Sequence, residues 1–341
     1  LATQSECIGW GFIGASTWAA RHIVPAVNSI PETRPVGVFS TSLERGREFA
    51  AVNECGRSFE RLENLLDDPE VDAVYISTTN DLHAEQTIAA ATAGKHVLCE
   101  KPLALTLADA EQMVEACEHA GVVLATNHHL RAAPVLVTMR EQIERGAIGE
   151  IVAARVFQAN WLPEELQSWR LRRPDAGGVV RDITVHDVDA IRFVLGDEID
   201  EVVAFTANQG LAEPAVEDSA MGVLRMCGGQ LICFHDAFTV RHAGTGFEVH
   251  GTTGSLFARD PLGSEPTGTL ELRRLDEIVE IDVGERPPLY QRSVERFCAA
   301  VRGEGPPLAT GIDGAAALAV ALAALESAEL GRSVAIDHQG A

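Results

Sequence analysis

The chain has 341 residues, enough for two domains of ordinary size, and carries a net charge of −23. Hydrophobic residues make up 46% and charged residues 23%, which is ordinary for a globular protein. A field of that sign repels nucleic-acid phosphates and anionic membranes, which argues against both as partners.

The seven cysteines are scattered without a CxxC pair. They read as free thiols in a reducing, cytoplasmic compartment. No leader is read at "LATQSEC", which is polar and runs into a strand. The apolar stretch "GAAALAVALAALESA" (314–328) is too short to span a bilayer and reads as a buried helix.

In chain order, the first part alternates short apolar runs with amphipathic stretches. The runs are 7–14, 35–40, 72–78, 96–100 and 121–126. Strands separated by helices mean βαβ units, hence a doubly wound parallel sheet of the Rossmann type. Strands buried on both faces read as continuous apolar runs, as these do. Near residue 150 the pattern changes. Longer extended runs follow at 151–160, 199–208, 220–227, 230–240, 246–250, 254–258 and 268–283, with "MCGGQL" at hairpin distance between two of them. One helix, 181–196, interrupts them, and two more close the chain at 288–303 and 311–330. The expected architecture is an α/β dinucleotide domain over 1–126. An α+β domain with a large, mostly antiparallel open sheet follows over 127–330. The last stretch, 331–341, is expected to return to the first domain.

"GWGFIG" (9–14) matches GxGxxG literally, but Gly9 and Gly11 fall inside the strand. The phosphate loop must lie between strand and helix, where backbone N–H groups face the pyrophosphate. The better register is "GASTWA", so Gly14, Ala15, Ser16 and Thr17 are the candidate phosphate contacts, with Ser16 and Ala19 at the second and third glycine positions. The residue that reads the ribose lies roughly 20-odd residues further on. Ser40 satisfies that spacing from Gly14. An acidic residue there would bind a ribose 2′-OH and repel a 2′-phosphate. Ser40, Thr41 and Arg45 instead offer hydroxyls and a guanidinium, which predicts NADP(H). The alternative is a capped, solvated helix start with NAD bound.

Only two of the 27 Lys and Arg residues are lysines, Lys95 and Lys101. Lys101 follows an apolar strand and precedes a proline, at the carboxyl edge where doubly wound sheets bind ligands. Proline restrains the backbone on both sides of that bond; whether the bond is cis is not legible. Lysine can give up a proton where arginine cannot. An incidental ion-paired lysine is the competing reading. Ser77, Thr78, Asn80, His83, Glu100 and Asn127 follow the ends of neighbouring strands and are further candidate cofactor contacts. In "RDITVHDVDAIRF", Asp182, His186 and Asp189 fall at i, i+4 and i+7, one face of a regular helix. A carboxylate one turn from an imidazole can orient it and favour its protonated form, as a general acid requires. A helix-capping Asp with a structural His is the competing reading. His128 reads as polar lining of a cleft. Trp161, Trp169 and Arg170 read as lining of a sugar site or as ordinary packing. No metal site is expected, since no second His-rich segment lies at ligand spacing.

Together "GFIGAS", "AGKHVLCEKPLA", "ERGAIGEI", the Gly-Gly-x3-Asp-x3-His pattern at 177–186 and "VHGTTGSL" resemble the glucose–fructose oxidoreductase / inositol dehydrogenase / MocA family. The likeness covers essentially the whole chain. "STSLERG", "VYISTTNDLHAEQT", "GVVLATNHHLRAA" and "FHDAFT" resemble a subgroup that reduces the C2 ketone of a cyclic sugar with NADPH. The resemblance implies catalytic roles for Lys101, Asp182 and His186. It implies 2′-phosphate contacts at Ser40 and Arg45, and an oligomer interface on the open sheet. A dehydrogenase of inositol or an aldose, and a binding-only regulator on the same scaffold, stay open beside it.

Overall fold

The computed structural model describes residues 7–337. The chain forms two compact units: one running to His129 and resuming over Tyr290–Ala315, the other covering Leu130–Leu289 and the chain from Ala316 onward.

Among the described residues the first unit holds six strands: β1 (Ile8–Ile13), β2 (Thr33–Phe39), β3 (Arg57–Phe59), β4 (Ala73–Ile76), β5 (His96–Cys99) and β6 (Leu124–Thr126). All pair in parallel, in the order β3-β2-β1-β4-β5-β6. This is the doubly wound order whose direction reverses between β1 and β4. Every residue of β1 and β4 is buried, which is why both read as unbroken apolar runs. β3 is absent from the sequence reading: it is three residues long, begins with exposed Arg57 and has no apolar run to betray it.

The return of 290–315 to this unit differs from the expected 127–330 domain. The cause is hydrophobic. The Leu289–Val301 helix contributes Tyr290, Val294, Phe297 and Cys298 to the core around Trp10, and the Trp10 and Phe297 rings lie 5.1 Å apart.

Among the described residues the second unit holds nine strands: β7 (Ile151–Trp161), β8 (Ile199–Ala207), β9 (Ser219–Met226), β10 (Leu231–Ala237), β11 (Thr239–Gly251), β12 (Ser255–Arg259), β13 (Thr269–Arg274), β14 (Glu277–Ile281) and β15 (Val334–Ala335). Their order is β14-β13-β12-β11-β7-β10-β9-β8-β15. Among the described residues only β7 and β10 pair in parallel in this sheet, and the other pairs are antiparallel. The expected return of 331–341 to the first domain is corrected here. Val334 and Ala335 pair with β8, and the Ile336 amide donates to the Asp200 carbonyl. Positions 338–341 lie outside the described residues.

The Gly311–Leu330 helix is apolar and long enough to cross a membrane by length and composition. Ala317, Leu318, Ala321 and Ala324 are nevertheless buried. Its Ser327 hydroxyl accepts from the Ala204 amide at 3.0 Å and donates to the Arg332 carbonyl at 2.7 Å. It is a core helix fastened to β8.

Phe297→Ala should lower unfolding free energy by about 3–5 kcal/mol, the usual loss for a buried phenyl ring. Urea titration checks this, and an unchanged midpoint would contradict the packing of that helix on the Trp10 core.

Candidate active site

The turn after β1 carries the phosphate-loop residues. Gly14 has φ +105°, and a Cβ there would lie 3.2 Å from Ser77 backbone atoms and the Thr78 methyl. Glycine is therefore demanded by backbone sign and by close approach. Gly9 is a glycine for another reason: a Cβ would stand 1.8 Å from the Glu70 carbonyl oxygen. The Gly9 and Gly11 glycines thus belong to packing inside β1. Ser16 Oγ accepts from the Ala19 amide at 2.9 Å and bonds Ser77 Oγ at 2.8 Å. The first turn and the end of β4 are tied together at the switch point. Among the described residues, the Ala15 and Ser16 amides donate to no protein group, so they fit a pyrophosphate at this helix start. The helix opens with a wide π-type turn, Ala19–Ile23.

At the end of β2, Ser40 Oγ accepts from the Ser42 amide at 3.2 Å. Ser42 Oγ accepts from the Arg45 amide at 3.4 Å and caps the Leu43–Val52 helix. Thr41 and Arg45 are exposed. No acidic side chain stands at 40–42, so these hydroxyls and the guanidinium of Arg45 fit a 2′-phosphate.

The two lysines separate by structure. Lys95 donates to the carbonyls of Asp68 (3.2 Å) and Val71 (2.7 Å) and is a strut. Lys101 begins a turn whose Lys101–Pro102 bond is cis. His83 is fully buried beneath that turn, with Nδ1 3.0 Å from the Pro102 carbonyl. Burial lowers its pKa, so the ring is neutral. His83 therefore supports the lysine from inside, and Asn80 and Asn127 are likewise buried. Glu100 Oε1 accepts from Tyr75 Oη (2.5 Å) and Asn127 Nδ2 (2.6 Å), and its other oxygen accepts from the Lys101 amide (3.3 Å). Asn127 Oδ1 in turn accepts from Ser293 Oγ at 2.8 Å. Burial pushes the Glu100 carboxyl up, and the Tyr75, Asn127 and Lys101 contacts oppose that rise. Thr78 donates to Gln86 at 2.7 Å. Beside these, Trp18, His22, Tyr290 and His129 form a cluster of ring contacts, His129 stacked on Tyr290 at 4.5 Å and His22 tilted against it at 4.4 Å. Burial and then the Lys101 charge lower His129 to about 3.

In the second unit, Asp182 and His186 are both nearly buried. The expected regular face through 182, 186 and 189 is broken. Val180–Thr184 is a wide π-type turn, closed by the Val185 amide on the Val180 carbonyl, before the Val185–Leu195 helix begins. The extra residue shifts the helical phase, and such bulges mark functional sites. The two outer carboxylates accordingly take different arginines. Asp182 Oδ2 accepts from Arg170 Nε at 3.1 Å. Asp189 accepts from Arg131 Nε at 2.9 Å and Nη2 at 2.7 Å, with Arg192 at 3.8 Å. Arg170 also stacks over Trp169 at 4.8 Å, so Trp169, Arg170 and Asp182 form one group. Trp161 is elsewhere engaged, under the Arg241 guanidinium at 3.5 Å. His128 is buried, in the first unit.

Sequence reasoning missed Tyr75, which donates to Glu100, and Ser293, which donates to Asn127. It also missed Asp236, although that residue has a legible signal. In "LICFHDAF" it shares the inward phase of Ile232 and Phe234, an apolar register that a lone carboxylate does not enter without a partner.

The parallel sheet, the Gly14 turn at its switch point and the lysine at its carboxyl edge define an NAD(P)-dependent oxidoreductase. The chain belongs to the Gfo/Idh/MocA family: the family profile for an oxidoreductase with an NAD-binding Rossmann fold matches residues 8–128, and the GFO/IDH/MocA C-terminal domain matches 136–257. It is 49% identical to the 1,5-anhydro-D-fructose reductase of Ensifer adhaerens, over 96% of this chain and 98% of that protein. It is 31% identical to the myo-inositol 2-dehydrogenase of Thermotoga maritima, over 86% and 89% of the two chains. Among solved structures, a levoglucosan dehydrogenase with NADH and levoglucosan superposes with a TM-score of 0.86 at 25% identity, covering 97% of this chain and all of that one.

Proposed function

We propose that the protein is an NADPH-dependent reductase of a cyclic sugar ketone, of the 1,5-anhydro-D-fructose type. The observation that carries this reading is the 49% identity to the Ensifer reductase, sustained across nearly the full length of both chains. The substrate is a small carbohydrate.

When bound, NADPH supplies a hydride to the carbonyl carbon. The residues of this chain do the rest. The Ala15 and Ser16 amides hold the pyrophosphate. Ser40, Thr41 and Arg45 hold the 2′-phosphate, and Arg45 is exposed and uncommitted to any protein acceptor among the described residues. Lys101 in the first unit and His186 in the second are the candidate proton donors for the carbonyl oxygen as charge develops. Asp182, itself fixed by Arg170, orients the imidazole. Trp169 offers an aromatic face to the sugar. The seven cysteines are free thiols, which supports a reducing, cytoplasmic setting.

The outward face of the second sheet supports self-association. Phe205 and Met221 are cross-strand partners, as are Val223 and Cys233, and all four are exposed. A contiguous apolar patch of this kind marks an interaction surface. Met221→Arg should shift the protein to a smaller species in sedimentation velocity; an unchanged sedimentation coefficient would remove this face as the interface.

Steady-state kinetics with NADPH and 1,5-anhydro-D-fructose test the reaction. Lys101→Ala and His186→Ala should each lower kcat by about 10²- to 10⁴-fold, the usual contribution of a general acid. Variants that fold and turn over normally would remove those assignments. Turnover confined to inositol or an aldose with oxidised cofactor would favour the dehydrogenase reading, and binding without turnover the regulator. Arg45→Ala should raise the KM for NADPH roughly tenfold, the loss of one charge-assisted contact, and leave that for NADH unchanged. An NADPH KM that does not move would contradict the 2′-phosphate assignment.

A further inference from the structure

The residue after His186 is a fully buried carboxylate, and it faces another. Asp187 opens the Val185–Leu195 helix, and Asp236 lies on β10; neither has measurable exposure. Their carboxyl groups are within hydrogen-bonding reach of each other, with Thr184 beside Asp236. Counted as carboxylates, both Asp187 oxygens lack a donor, and Asp236 has only the neutral Thr184 hydroxyl and Gln158 amide close to it. Among the described residues neither group has an ion pair.

Every element packed around them confirms the lack of a cation. On the helix, Asp189 is turned to Arg131 and Arg192. In the turn before it, Arg181 acts on Glu217, which accepts from the Val180 amide. His186, the neighbour of Asp187, is not among the charges that act on it: only Asp236 is. On β10, His235 is adjacent in sequence and so points to the other face of the sheet. On β7, the residue opposite Asp236 is the neutral Gln158, and on β9 it is Ala220. Asp218 accepts from the Gln209, Leu211 and Ala212 amides.

Two carboxylates cannot both stay ionised in such a place; one proton between them removes the repulsion and makes a strong O–H···O⁻ bond. We propose that Asp187 and Asp236 share one proton, and that this bond clasps the Val180–Thr184 turn and the start of the Val185–Leu195 helix to β10, so that the pair positions His186. The directions of titration agree. Burial and then the Asp236 charge push Asp187 well above the usual carboxylate range, and burial raises Asp236. The proton belongs to the pair and not to either residue.

The positioning role rests on the reductase reading; the shared proton does not. Both are tested on the full chain by infrared difference spectroscopy and by kcat, from about pH 6 to about pH 9, a range spanning the neutral region. Wild-type protein should show a carboxylic-acid C=O band at neutral pH that Asp187→Asn and Asp236→Asn each abolish. An amide N–H replaces the shared proton without titrating, so the Asn variants should retain turnover that Asp187→Ala and Asp236→Ala lose. The loss in the Ala variants should be about 10- to 100-fold in kcat, the cost of a small misplacement of a reacting group, with the KM for NADPH unmoved. Stability follows with a definite sign. The folded pair holds a proton that the unfolded chain releases above a pKa of about 3.9. The pair's contribution is complete below that value and declines as pH rises through the pair's folded value, a slope the Asn variants lack. Absence of the band at neutral pH overturns the shared proton. Ala variants with wild-type kcat, or Asn and Ala variants falling alike, overturn the positioning role. Wild-type protein without turnover on any sugar ketone would refute the reductase reading, and the band and the stability slope would still decide the pair.

Discussion

A carboxylate withdrawn from water must be given donors, and in this chain that requirement arranges the carboxyl edge of the first sheet. Glu100 meets it with Tyr75, Asn127 and the Lys101 amide. Those contacts knit β4, β5 and the end of β6 together at the point where the lysine leaves the sheet. Ser293 extends the network to the helix that completes the core. His83, neutral and buried, holds the Pro102 carbonyl from below. The lysine is thus presented by a network whose other members are largely interior. The chain's only other lysine is spent on two backbone carbonyls.

The second unit solves the same problem in two ways within one short segment. Asp182 and Asp189 are matched by arginines, which are always charged and fork-shaped. Asp187 and Asp236 are matched by each other. The wide turn at Val180–Thr184 makes this division possible. In a regular helix, residues 182, 186 and 189 would form one stripe. The inserted residue instead turns the two outer carboxylates toward separate guanidinium groups and leaves His186 next to the buried pair.

Much of this was legible in the sequence. The parallel sheet shows as apolar runs because its strands are buried on both faces, and the Gly14 turn shows because a glycine of positive φ follows the strand. The lysine shows because the chain otherwise uses arginine. What was hidden depended on tertiary context. β3 is too short and polar to read. The 290–315 segment reads like any amphipathic helix, and only packing on Trp10 assigns it to the first unit. The π-type turn has no local signature beyond a run of β-branched residues. Of the cofactor candidates, Ser16 and Ser77 are joined by a hydrogen bond. His83 and Asn127 lie after strands, and their hydrogen bonds to the Pro102 carbonyl and to Glu100 tie them to the edge.

The account stands on a lysine amine being the group that the first unit offers to the reacting carbonyl. A crystal structure of the complex with NADP⁺ tests this most directly. The predicted result is a nicotinamide ring lying against the 101–102 turn with Nζ on its reactive side, and the adenosine phosphate against Ser40 and Arg45. A ring bound at another edge of the sheet, with the amine turned to bulk water, would contradict it.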